Sequence, residues 1–425
     1  MASMLGWIDH DAKAREHTRN LLAMFIEEES RDELGIGAIR DSISDALFPG
    51  TSTLQTRLKY MLFVPWIYMS LEEKRIRAPK FGQKADKMER DLIEVILESD
   101  DTEGAFGKVS GRNIKRLPSS VYWSGLGSWG IRSIERSQQQ YHEQIDDIYK
   151  ICDEGKGDGK GTFCSWHISI PNPPEDFPKQ AEFALRSDEA LFLRDRILEM
   201  HPDSLLAFLA AECRLNDLEN VAFVWKHTCF DRFSDENKKL LHSAQNFSEL
   251  IYGAMIAYNY YMSKHRFEKK GWEKDESNVE KYRKKFSGWF ESLRRDELIG
   301  WDLDEFWAIL EKSEHTITDA TKQRHPFAGN HKKSHTITDA TKQFVRSWVD
   351  IVRNSLNAEE ILESSKTLIQ NREIKLKRGK SRFQNDKALE QWGGESGMAQ
   401  LDYRWNKVKV LLKDLYKGLE GENNA

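Results

Sequence analysis

The chain has 425 residues, 39% of them hydrophobic and 31% charged, enough apolar material for one large core or two ordinary ones and unlike a disordered segment. A formal charge of −5 and a pI near 6.2 argue against a protein that coats nucleic acid by bulk electrostatics and leave room only for local basic patches. The four cysteines (Cys152, Cys164, Cys213, Cys229) are too few and scattered for a secreted disulfide framework, the N-terminus lacks a signal-peptide pattern, and the most apolar run, YMLFVPWIYM, is half the length needed to cross a bilayer. A cytoplasmic protein without membrane spans is expected.

Ten prolines, none after Pro326, interrupt a chain rich in Glu, Lys, Leu, Ala and Arg, so an all-α fold with few short strands is predicted. Helical spacing first appears in AREHTRNLLAMFIEE (14–28), where Leu21, Leu22, Phe25 and Ile26 share a face. In LFPGTSTLQTRLKYMLFVPW (47–66), Thr51, Ser52 or Thr53 is placed to cap a helix after Gly50, with Leu54, Leu58, Met61 and Leu62 on one face and Pro65 bending or ending it. Arg57 and Lys59 are secondary candidates for contact with a phosphate. The stretch lacks the glycine-rich loop and lysine of a nucleotide site.

DKMERDLIEVILES (86–99) continues the helical pattern. Next, GRNIKRLPSSVYWSGLGSWGIR (111–132) puts Arg112, Lys115 and Arg116 before a Pro-Ser helix start and Arg132 after a glycine-rich close. That order matches the turn and second helix of a helix-turn-helix module, whose N-terminus and nearby cations meet phosphates, although Tyr122, Trp123, Leu126 and Trp129 have the character of core anchors. SIERSQQQYHEQIDDIYKI (133–151) is again helical. The Gly-rich DEGKGDGKGT and the prolines 171, 173, 174 and 178 then mark a linker at 153–179, between a helical domain at 1–152 and a larger one at 180–425. The best strand signal is FCSWHISI (163–170).

Cys164 with His167, and His227 with Cys229, offer four ligands of zinc type, but their spacing fits no closed-site pattern; the cysteines read as small buried hydrophobes, and neither metal nor cofactor is expected. The nine residues HTITDATKQ stand at 315–323 and again at 335–343. So complete an identity indicates a recent local duplication, a helix start or inserted loop, since His315 with Asp319 and His335 with Asp339 each make only half a metal site. NREIKLKRGKSRF (371–383) gathers Arg372, Lys375, Lys377, Arg378, Lys380 and Arg382 around Gly379 in an acidic chain, a candidate anion-binding loop. Its Glu373 and Lys375 have the E-x-K spacing of some metal-dependent nucleases, a spacing common by chance in Lys/Glu-rich chains. NKVKVLLKDLYKGL (406–419) closes the helical series. Phosphate-loop, nucleophile-elbow, zincin and dinucleotide-binding motifs are lacking.

GWID (6–9), DELGIGAIRDSISDALFPGTSTLQTRLKYMLFVPWIY (32–68), LPSSVYWSGLGSWGI (117–131), FSELIYGAMIAYNYYM (247–262) and LDYRW (401–405) together resemble an uncharacterised prokaryotic family, domain of unknown function 6361. The resemblance brings no catalytic residues. It implies a setting in anti-phage defence beside a helicase or a phospholipase D-like nuclease. The expectation is a non-catalytic scaffold or DNA-contacting subunit, its 13 tryptophans leaving aromatic surface for a partner; the alternative is a metal-dependent nuclease whose site the sequence does not reveal.

Overall fold

The computed structural model describes residues 32–155, 165–312 and 337–421. It is all-α: among the described residues there is no sheet, and the expected strand at FCSWHISI contributes only an isolated antiparallel bridge between Arg132 and Trp166. In chain order the helices are α1 (Gly37–Leu47), α2 (Tyr60–Glu73), α3 (Ala78–Leu97), α4 (Pro118–Ser128), α5 (Gln138–Glu143), α6 (Ile145–Gly155), α7 (Ser187–Met200) and α8 (Leu205–Glu212). They continue as α9 (Asp235–Lys270), α10 (Glu273–Ser292), α11 (Arg295–Gly300), α12 (Asp339–Asn354), α13 (Ala358–Lys377), α14 (Asp386–Glu390) and α15 (Trp405–Glu420). No helix among the described residues is long and apolar enough to cross a membrane.

The chain divides into two compact units, each assembled from separated stretches: a larger one (Asp41–Ser243, Asp304–Ser334, Asp402–Ala425) and a smaller one (Met1–Arg40, Ala244–Leu303, His335–Leu401). Of the stretch read from the sequence as a linker at 153–179, the described residues 153–155 and 165–179 fall in the larger unit. Two residues of that stretch are anchored, Pro171 O accepting a hydrogen bond from Trp66 Nε1 at 2.7 Å and Phe177 stacking on Phe63 with ring centroids 5.7 Å apart, while Pro173 and Pro174 are exposed.

The larger unit forms around α2, whose residues from Tyr60 to Tyr68 are all buried; a helix apolar on every side can only lie inside. The helix begins at Tyr60 rather than after Gly50, and it runs through Pro65 to Glu73 instead of ending there. Residues 48–59 are turns: Thr51 Oγ1 donates back to Phe48 O at 2.6 Å, and Leu54, expected on the buried face, is 45% exposed. Tyr60, Phe63, Trp66, Tyr68, Trp123 and Tyr141 build an aromatic core around α2. Helix α15 completes the unit: Trp405 Nε1 donates to Val221 O at 3.0 Å, Tyr416 Oη donates to Leu209 O at 2.6 Å, and Asp414 accepts from Leu58 N at 2.8 Å.

In the smaller unit the α9 segment from Ala244 onward carries the core. Trp289 of α10 lies so close to α9 that a Cβ on Gly253 would stand 2.1 Å from its Cζ2. Trp289 stacks on Trp348 of α12 at 6.1 Å, and both indole N–H groups donate to α9 carbonyls, Glu249 O at 2.8 Å and Leu250 O at 2.9 Å. Arg266 and Asp275 form a buried pair at 2.5 Å.

Candidate nucleic-acid interface

Helix α13 starts at Asn357, whose side chain accepts from Glu360 N at 3.0 Å, and buries Ile361, Leu362 and Ile369. Lys375 and Lys377 sit in its last turn, where cations complement the partial negative charge of the carbonyl end. The helix stops at Arg378, with φ 49° and ψ −128°, and a single 3-10 turn, Arg378–Lys380, follows.

The six cations fall into two groups. Arg372 is buried: its guanidinium donates to Leu34 O (2.9 Å), Gly35 O (3.1 Å) and Thr341 Oγ1 (2.8 Å) and lies over the Phe344 ring. Arg382 donates to Glu33 Oε1 at 2.6 Å and to Tyr258 Oη at 2.9 Å, and Lys377 pairs with the other Glu33 oxygen at 3.3 Å. These three residues fasten the turn. Lys375, Arg378 and Lys380 remain exposed, and no acid pairs with them among the described residues. Glu373, the acid of the E-x-K spacing, is fully buried; it accepts from Ser381 Oγ and from Arg382 N at 2.9 Å, and burial raises its pKa. It holds the turn in place and does not face a solvent-borne metal beside Lys375.

The helix-turn-helix-like segment is placed differently from expectation. A recognition helix must present a face to the groove, whereas α4 buries Pro118, Ser119, Val121, Tyr122, Trp123, Gly125 and Leu126, leaving Ser120 and Ser124 exposed. Arg132 is buried, donates to Ile134 O, lies 4.8 Å from the Trp123 ring centroid and has its pKa pushed down to about 10 by burial. Arg112 is exposed but pairs with Asp91 (2.8 Å) and Glu94 (2.5 Å) of α3. Lys115 is exposed and Arg116 half-buried. Of the secondary candidates, Arg57 pairs with Asp414 and Asp101, and Lys59 is buried against Glu189 and Ala184 O. Both are tied into the larger unit's interior.

The tryptophans behave similarly. Of the twelve among the described residues, eleven are buried and Trp272 alone is exposed, so they build cores rather than the spare aromatic surface expected.

Two buried clusters have perturbed titratable groups. In the larger unit, Glu89 accepts from Ser119 N (2.8 Å) and Ser119 Oγ (2.6 Å), Gln138 Nε2 donates to Ser119 Oγ (2.6 Å) and Tyr68 Oη (2.8 Å), and Tyr68 Oη meets His142 Nε2 at 2.8 Å. Burial pushes the Glu89 carboxyl up to about 7 and the His142 imidazole down to about 4. Glu89, Ser119 and Tyr68 are at most 1% exposed, so this chain closes off interior polar atoms and offers a substrate no access.

The second cluster was not legible as a unit. Cys213 caps the end of α8; the chain then winds through three 3-10 turns, Leu215–Leu218, Val224–Lys226 and Phe230–Arg232, with His227 ending the second turn and Cys229 opening the third. Ligand atoms of Cys213, His227 and Cys229 all lie within 4.8 Å of one another, and all three residues are buried. The sequence pairing of Cys164 with His167 does not join them: Cys164 lies outside the described residues, and His167 Nε2 meets Arg196 Nη1 at 2.8 Å. His315, Asp319 and His335 also lie outside them; Asp339 stands in the first turn of α12 after the Thr338 cap, the helix start expected of the second HTITDATKQ copy.

No curated protein and no solved structure matches this chain. The model of DUF6361, a family of unknown function, matches residues 2–330 and 325–418, two stretches that meet between the copies of HTITDATKQ, where a duplication would interrupt an otherwise continuous match. Because the matches cover nearly its whole length, the chain belongs to the family DUF6361.

Proposed function

We propose that this protein is a non-catalytic subunit of a bacterial anti-phage defence assembly, contacting nucleic acid through the turn at the end of α13 and working beside a helicase or a phospholipase D-like nuclease. One observation carries the nucleic-acid reading: Lys375, Arg378 and Lys380 stand exposed on a turn that Arg372, Glu373 and Arg382 hold rigid from below. Phosphate contact needs cations at fixed positions without competing acids, and this turn provides them. Arg378 adds weight, because a left-handed backbone costs a non-glycine residue about 1–3 kcal/mol, yet an arginine occupies it next to Gly379. The defence setting and the enzyme partner rest on the family resemblance.

The test is a salt titration of binding to a short DNA duplex. Each phosphate contact contributes about −0.9 to the slope of log K against log salt, so replacing Lys375, Arg378 and Lys380 with alanine should flatten the slope by about 2 to 3. An unchanged slope refutes the role of the turn. A native pull-down that recovers no helicase or nuclease refutes the partner.

A further inference from the structure

We propose that Cys213, His227 and Cys229 bind a zinc-class divalent metal ion that fastens the end of α8 to the irregular segment 213–233. In a tetrahedral zinc site, with Zn–S about 2.3 Å and Zn–N about 2.0–2.1 Å, ligand atoms stand about 3.5–3.8 Å apart. The three atoms here already lie within 4.8 Å of one another. Closing the site therefore needs movements of about 1 Å, within the reach of side-chain rotation on the 3-10 turns that carry His227 and Cys229.

A second observation points to a ligand. His227 is 3% exposed, and its Nε2 has no hydrogen-bond partner; its Nδ1 accepts only the backbone N–H of Cys229, at 3.1 Å. A buried imidazole nitrogen left unpaired costs about 1–3 kcal/mol, and coordination through Nε2 would remove that deficit while leaving the Nδ1 contact with Cys229 N in place. The surroundings suit a soft cation. Phe233 and Trp405 flank the imidazole with centroids 5.8 Å away, and Arg232 Nη1 lies 3.9 Å from Cys229 Sγ, placed as an outer N–H donor to a coordinated sulfur. Two thiolates and one divalent ion are neutral together, which makes their burial tolerable. Asp217, held by Arg214 N at 2.8 Å, is not among the clustered ligand atoms, so the three protein ligands leave the fourth position to a water molecule.

The test uses the full chain purified from zinc-supplemented cells, with metal content measured after gel filtration. The expected result is one zinc per chain in the parent and in Cys152→Ser, and its loss in Cys213→Ser and Cys229→Ser. To separate lost coordination from failed folding, the unmodified chain exchanged with cobalt should show thiolate-to-cobalt charge transfer and the intense visible bands of a tetrahedral site. A metal-free parent chain without those cobalt bands overturns the proposal. So does a peptide map of the non-reduced chain that links Cys213 to Cys229 through a disulfide.

Discussion

Glutamine in place of Glu89 should change how stability depends on pH. The Glu89 carboxyl is 1% exposed, and burial, the largest influence on it, outweighs the two hydrogen bonds from Ser119 and lifts its pKa from 4.5 to about 7. A folded-state pKa above the unfolded one means that the folded state holds a proton the unfolded chain has released. The associated stability is complete below about pH 4.5, drains away as pH rises toward 7 and is gone above it. At about 1.4 kcal/mol per tenfold change in proton affinity, the full loss is about 3 kcal/mol. His142, depressed to about 4 by burial, acts in the opposite sense, losing stability as pH falls from 6.5 through 4, so the informative quantity is the difference between parent and variant. Glutamine can accept from Ser119 N and donate to Ser119 Oγ, and it never ionises. Urea denaturation followed by circular dichroism from pH 5 to 8 should give nearly equal stabilities at pH 5 and a Glu89→Gln advantage approaching 3 kcal/mol at pH 8. Parallel profiles for the two proteins would refute the assignment of a protonated Glu89 below neutrality.

Glycine at Arg378 should relieve the left-handed backbone and raise stability by about 1 kcal/mol while weakening DNA binding, opposite signs readable by thermal unfolding and by the salt titration; a stability loss would contradict the strain assignment. Alanine at Lys59 should destabilise by less than the cost of a fully unpaired buried charge, about 3–5 kcal/mol, because Arg186 Nη2 stays 3.3 Å from Glu189 Oε1, and Lys59→Met combined with Glu189→Leu should restore most of the loss in urea titrations. An alanine variant as stable as the parent would refute a stabilising role for the Lys59–Glu189 pair.

The helical class was legible because proline is sparse and apolar spacing is regular, as α15 shows by enclosing its predicted periodic stretch and α3 by covering all but the last two residues of 86–99. What escaped depends on distant partners. Pro65 looked like a breaker, but buried packing on every side of α2 outweighs the one hydrogen bond that proline cannot make. The proline-rich stretch looked like a linker because composition does not reveal that Trp66 holds Pro171 and Phe63 holds Phe177. Residue type did not sort the basic residues either. Arg57, Arg132, Arg372 and Arg382 reach carbonyls and carboxylates, and so do Lys59 and Lys377, while Arg378 stays in solvent with Lys375 and Lys380, a division set by partners distant in sequence. Cys213 stands 14 positions before His227, and only the winding of the two 3-10 turns between them brings them together.

Helix α15 also has a consequence for synthesis. When residue 243 leaves the ribosome, the helices of the larger unit from α2 to α8 exist, but the side chains that cover α7 and α8, among them Leu411, Leu412, Leu415 and Tyr416, have not been made. At about 5–20 residues per second, the roughly 160 residues before Asp402 take about 8–30 s to translate. Throughout that interval Leu193, Ile197, Leu205 and Leu209 lack their final cover. The apolar faces of α7 and α8 therefore stay without their α15 cover until translation has passed Glu420.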